Sequence, residues 1–303
     1  MNGAGGQSQE IALSPNARTW LNRIGGLLGL AGIVFVGIRL HGYAGEINFQ
    51  RIGVGGYIAT TALAGMYAVL NLLMAFGWQR LLRHLDVTVS RPWAIYAYAI
   101  SQLAKYVPGN IFQFAGRQAI GLAAGIGNGP LAKSTVYELA IQAAAGILFT
   151  PLVVPFVAAG VPGWLGWVSF AAVLAVALWL AARTGGADFA AAVAFYLTFI
   201  ALAGLVFVAA FVLAGGSGDL MLYPAIAGAY VIAWLVGLIT PGAPAGLGVR
   251  EAVLLFMLGG ISSGPVILLA VVIGRTVTVL GDLLFFTGGQ IVGRFYGMNY
   301  GQD

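Results

Sequence analysis

Eight charged residues stand in or beside long apolar stretches of this 303-residue chain: Lys105, Arg117, Lys133, Arg250 and Arg275, with Glu138, Glu251 and Asp282. A charge at the centre of a spanning helix costs about 2.5–3.5 kcal/mol on insertion scales, so each is expected to be paired or to carry function. Five cations face three acids, an excess of two. A purely structural set of ion pairs would tend to balance, whereas an anionic substrate would neutralise a surplus of cations. Arginine suits phosphate in particular, because its planar fork gives two parallel hydrogen bonds. Architectural readings stand beside these. Lys105 and Lys133 could snorkel to an interface on their long stems. Arg117, Arg250 and Arg275 could be structural partners of the three acids.

Spacing narrows the options. Arg275 and Asp282 share one helix face but stand ~10 Å apart along its axis, too far to satisfy each other fully. Each should reach a partner on another helix or a ligand. Glu138 and Gln142, four apart, form a polar strip on an otherwise apolar span. Arg250 and Glu251 would open a short helix after a Gly-rich loop, where free backbone N–H groups also favour anions. The chain has no cysteine, which removes disulfides, thiol catalysis and thiolate metal sites. Its two histidines, His41 and His84, lie in charged connections and read as solvated. No metal or other cofactor is expected. No basic run interleaved with aromatics suggests nucleic acid.

The elements that must position these residues follow from hydropathy. Hydrophobic residues make up 60% of the chain and charged residues 8%, against roughly 25% charged in soluble domains. An all-α polytopic membrane protein is the expected class. Residues 1–17 are polar and Gly-rich and read as a flexible N-terminal tail, residues 18–295 as a single membrane domain, and 296–303 as a short C-terminal tail. Spans are expected at about Ile24 to Ile38, Val54 to Trp78, Phe189 to Leu213, Leu222 to Ile239, and Pro265 to about Val292. Trp93 to Leu103 is apolar but short. Leu139 to Ala182 is uncharged and, at ~1.5 Å per residue, about twice the ~30 Å core, so it should hold two spans with a hairpin near Gly160 to Gly163. Arg183 to Asp188 reads as a Gly-rich loop. About 8 membrane elements result, two of them broken or re-entrant. Trp20, Trp78 and Trp164 read as interface anchors, and the Gly121, Gly125, Gly129 ladder as helix packing. The positive-inside rule, applied to Arg18, Arg23, Arg80, Arg83 and Arg91, places the N-terminus in the cytoplasm of a cell (inner or plasma) membrane.

The two broken regions echo each other. Pro108-Gly109-Asn110 leads to Arg117, and Pro241-Gly242 leads through Gly246 and Gly248 to Arg250 and Glu251. In both, the Arg falls nine positions after the Pro (108 to 117, 241 to 250). Each region then reaches a Gly-Pro, Gly129-Pro130 or Gly264-Pro265, and a segment with charge: Lys133 and Glu138, or Arg275 and Asp282. Matched broken segments in two halves point to a transport site between inverted repeats, with Pro108, Gly109, Pro241, Gly242, Gly246 and Gly248 as structural loop residues.

Lys105-Tyr106-Val107-Pro108-Gly109-Asn110-Ile111-Phe112 through Gly116-Arg117 resembles a signature of the flippase-like membrane domain of lysylphosphatidylglycerol synthases. Pro241-Gly242 through Gly246-Leu247-Gly248-Val249-Arg250-Glu251 resembles the second signature of that domain. Glu138 falls where the family carries a Glu. Ala243 to Ala245, with Pro244, intervene where the family more often has a plain Gly-Gly. The resemblance covers about residues 20 to 295. It implies movement of lipids between leaflets by a stand-alone member without the cytosolic aminoacyltransferase domain, since the chain ends at Asp303. The expected function is therefore a phospholipid flippase and not an enzyme. Its substrate would carry an anionic or aminoacylated headgroup, bound by Lys105, Asn110, Arg117, Glu138, Arg250, Glu251, Arg275 and Asp282. Membrane lipids are the expected partners, with a homo-oligomer or a lipid-modifying enzyme as further ones. Two other classes compete: an intramembrane enzyme acting on a lipid phosphate, and a scaffold subunit for lipid or glycolipid modification.

Overall fold

The computed structural model describes residues 53–107, 112–157, 160–217, 219–240 and 249–297. The expected first span and the orientation argument from Arg18 and Arg23 lie outside these residues, as do the N-terminal tail, Pro108, Gly109, Asn110, Pro241, Gly242, Gly246 and Gly248. The described residues form helices and turns with no strand. The helices are α1 Gly53–His84, α2 Arg91–Gln102, α3 Phe112–Ala123, α4 Asn128–Phe149, the short α5 Val154–Val157, α6 Gly163–Leu213, α7 Tyr223–Ile239, α8 Val249–Leu258 and α9 Gly264–Phe295. Five stretches are long and apolar enough to cross a membrane: α1, α4 with its 3₁₀ extension to Leu152, α6, α7 with its 3₁₀ entry, and α9.

Local sequence accounts for the element ends. Ser90 caps α2, accepting from the Trp93 N–H at 3.3 Å, and Pro92 lies in the first turn, where its missing N–H costs nothing. At ~18 Å this helix is too short to cross a ~30 Å core, and it tightens into a 3₁₀ turn, Leu103–Tyr106, that carries Lys105. Helix α3 closes on Gly125 at φ 84°, with Ile126 N donating to Gly121 O at 3.0 Å, the left-handed cap that glycine adopts without strain. The glycine ladder thus divides. Gly121 packs against Leu131, Gly125 turns the chain, and Gly129 faces open space.

Three sequence expectations change. Residues 183–188 are not a loop. Helix α6 runs through them, broken only at Gly186 (φ 74°, ψ −173°), because a single glycine supplies the irregular backbone while its neighbours stay helical. At ~76 Å the helix is long enough for two crossings, one on each side of that kink. Arg80 bonds Asp188, just past the kink, at 2.7 Å. Trp78 is not an interface anchor but is buried, its indole donating to Ser134 Oγ at 3.1 Å; Trp164 is exposed. His84 sits at the end of α1 among the Phe189 and Tyr137 rings, at 5.1 and 5.8 Å, rather than in a solvated loop.

The main core joins α1, α2, α4, α6 and α9, and a second core joins α6 to α9. Helix α9 lies close on α1 and α2 through Gly281, Gly289 and Gly293, which face Ala64 and Tyr67, Ala99, and Tyr96. Small residues permit such approach, which in lipid gains dispersion contacts rather than hydrophobic burial. A methyl at Gly281 would meet the Ala64 carbonyl oxygen at 2.9 Å. Backbone gives way less readily than a side-chain tip. Gly281→Ala is therefore expected to cost about 1–3 kcal/mol, read as a lowered melting point in detergent. Gly288→Ala, at a position with open space, should change stability by less than about 0.5 kcal/mol. Equal effects at the two sites would refute the close-approach argument.

Candidate functional site

Most of the charged residues predicted from sequence fall into three clusters, two joining consecutive helices and one joining elements distant in sequence. The first is buried between α3 and α4. Arg117 Nη2 meets Glu138 Oε2 at 2.7 Å, with side chains 4% and 1% exposed. The other carboxylate oxygen accepts from Tyr98 OH at 2.9 Å and Gln142 Nε2 at 3.3 Å. The guanidinium lies over Tyr98 at 4.2 Å, with Trp78 and Phe114 at 5.2 and 5.5 Å. Opposite charge, hydrogen bonds and ring faces together compensate its burial.

The second cluster surrounds Asp282 on α9, whose side chain is fully buried. Lys105 Nζ stands 2.6 Å from Oδ2, and the Tyr106 hydroxyl donates to the same oxygen. Asn71 Nδ2 donates to Oδ1 at 3.3 Å and Gln102 Nε2 at 3.4 Å. Gln102 also donates to Asn71 Oδ1 at 3.2 Å. One carboxylate thus receives four donors, from α1, α2 and the 3₁₀ turn, near its capacity of about four acceptor sites.

The third cluster joins α8 to α9. Arg275 Nη2 lies 3.3 Å from Glu251 Oε1. Arg275 and Asp282 therefore turn to different partners, Glu251 and Lys105. Arg250, in the first turn of α8, lies in electrostatic range of Arg275, which repels it, and of Tyr230, Tyr67 and Glu251, which favour its charge. The described residues hold four ion pairs, and Arg250 is in none of them. Its Nε is buried without a hydrogen-bond partner among the described residues, as is Glu251 Oε2.

Pairing divides the cation surplus by place. Lys133 is exposed on α4. Arg250, half-buried, is the other of the five that is in no ion pair among the described residues. The two stretches also take the same local order: a short helix (α3, α8), a turn, then a long helix (α4, α9) bonded to it by an Arg–Glu pair. The polarity is reversed, with Arg on the short helix in one and Glu on it in the other. Asn71, Tyr98, Gln102 and Tyr106 were not singled out from sequence. Asn71 had a signal: it is a lone amide within an uncharged span. The tyrosines had none, since tyrosine is as common at interfaces as in polar networks.

In comparisons with known proteins, no family model matches the chain and no curated protein matches it.

Proposed function

We propose that this chain is an integral membrane carrier for a phospholipid headgroup, with an anion-binding centre at Arg250. The single observation that carries the reading is the surplus interior cation: an arginine in the first turn of a short helix, beside a second arginine, in no ion pair among the described residues. A half-buried cation outside any ion pair is costly to keep, and natural chains retain one where a ligand or mechanism uses it. The phosphate would be gripped by Arg250, with Arg275 adding charge from α9. Glu251 Oε2, which has no hydrogen-bond partner among the described residues, suits an amino group on a zwitterionic or aminoacylated headgroup. The order of short helix, turn and long helix in both broken regions favours two related halves moving around this centre, as inverted repeats do. The resemblance of the two Pro-Gly motifs to the flippase-like domain points the same way.

The test is reconstitution into liposomes with headgroup-labelled phospholipids, following transfer between leaflets. Headgroup-selective transfer above protein-free liposomes is expected. No selective transfer, or chemical turnover of the lipid phosphate, would overturn the carrier reading, the second outcome in favour of an enzyme.

A further inference from the structure

We propose that Lys105 is an exchangeable cation, which leaves Asp282 for a phosphate-bearing anion held at Arg250 while Asp282 stays ionised on its neutral donors. The inference rests on the anion centre proposed above and adds a positioning residue from the other broken region. Three observations support it. First, Asp282 does not depend on the ammonium: Tyr106, Asn71 and Gln102 all donate to it. Hydrogen bonds to the charged form of a carboxylate favour that form even without a counter-charge. Second, Lys105 is the loosely held member of the cluster. Its side chain is 22% exposed while that of Asp282 is fully buried, and a lysine stem reorients as a flexible point charge. Third, Lys105 lies in the field of both Arg250 and Arg275. Three cations from the two broken regions thus share one neighbourhood with two acids, Asp282 and Glu251. An arriving anion would draw the one cation free to move.

The exchange has a structural consequence. The Lys105 to Asp282 contact ties the 3₁₀ turn Leu103–Tyr106 to α9. Transfer of the ammonium to a ligand would loosen that tie as the anion binds, coupling occupancy to the contact between the first broken region and the last long helix. A ligand shifts a conformational equilibrium only through such differential contacts.

The test is a double-mutant cycle on anion binding by the purified full chain in detergent. The probes are inorganic phosphate and glycerophosphoglycerol, the latter a phosphodiester headgroup without tails. The tighter probe tells free phosphate from a lipid headgroup. Lys105→Met should weaken binding about tenfold, and Asp282→Asn, which removes the competitor for the ammonium, should tighten it about tenfold. In the Lys105→Met background, Asp282→Asn should no longer tighten it. The same gain in both backgrounds, or a loss on Asp282→Asn alone, would overturn the exchange. A second measurement does not depend on Asp282→Asn folding. The chain has no cysteine, so Lys105→Cys places a unique thiol. Its modification by 2-aminoethyl methanethiosulfonate, which restores an ammonium, should recover binding, and methyl methanethiosulfonate should not. Recovery with both reagents, or with neither, rejects the exchange. Absence of probe binding to the wild-type chain would remove the anion centre and the exchange with it, whereas binding without translocation would remove only carriage.

Discussion

Glu138→Ala is expected to lower stability by about 3–5 kcal/mol, the scale for removing one member of a buried ion pair. The carboxylate meets Arg117 at 2.7 Å and accepts from Tyr98 and Gln142. Its loss would leave a guanidinium that is 4% exposed with ring faces but no counter-charge. It would also leave the Tyr98 hydroxyl without its acceptor. Arg117→Ala should cost a similar amount, because the orphaned carboxylate is equally buried. The informative variant is the double replacement Arg117→Met with Glu138→Leu. Apolar side chains of similar volume often replace a buried pair at little cost, so the double variant should lie well above either single one. Thermal melting in detergent reads all three. Single variants that melt like the wild type would mean the pair contributes nothing to the fold.

Arg250→Met should act with the opposite sign on stability. Arg250 is in no ion pair among the described residues, its Nε lacks a partner there, and Arg275 repels it. Its removal is expected to raise stability by about 0.5–2 kcal/mol, since no ion pair among the described residues is broken and the repulsion from Arg275 outweighs the attraction of Glu251. The same change should reduce headgroup translocation about a hundredfold, the scale of ~3 kcal/mol for losing a charge-assisted, bidentate contact. Arg250→Lys keeps the charge but loses the fork, and should fall between. A stability–function trade-off of this kind marks residues kept for function against the interest of the fold. A variant that is less stable yet still translocates would assign Arg250 to architecture.

The contrast between Arg117 and Arg250 was not legible in sequence. Both follow a Pro-Gly by nine positions, and both were candidate phosphate contacts. Their difference lies in where the acids fall. Glu138 on α4 reaches Arg117, whereas Glu251, adjacent to Arg250 in the chain, bonds Arg275 instead. Successive residues of a helix point ~100° apart, so neighbours in sequence are poor partners. The break in α6 shows the same limit on the fold side. Its Gly-rich composition reads as a loop, but the packing of α6 against α1, with Arg80 on Asp188 across the kink, keeps all but Gly186 helical.

Sequence by itself determined the helical class, most of the long apolar elements, the identity of the buried charges among the described residues (Arg117, Glu138, Arg275 and Asp282) and the excess of cations. These are sums over composition and local periodicity, and need no knowledge of distance. It also indicated that Arg275 and Asp282 would not fully satisfy each other, because helix rise alone separates them. Only tertiary structure decided the partners: Asn71 beside Asp282 across 211 residues, Lys105 on the same carboxylate, and Arg117 sealed among aromatic rings. The energy of a charge depends on what lies within a few ångströms and on how much water has been excluded there. Neither quantity is a property of chain order. The tertiary fold therefore turned a surplus of two cations into one exposed lysine and one half-buried arginine in no ion pair among the described residues, and the arginine is the one the proposed headgroup would neutralise.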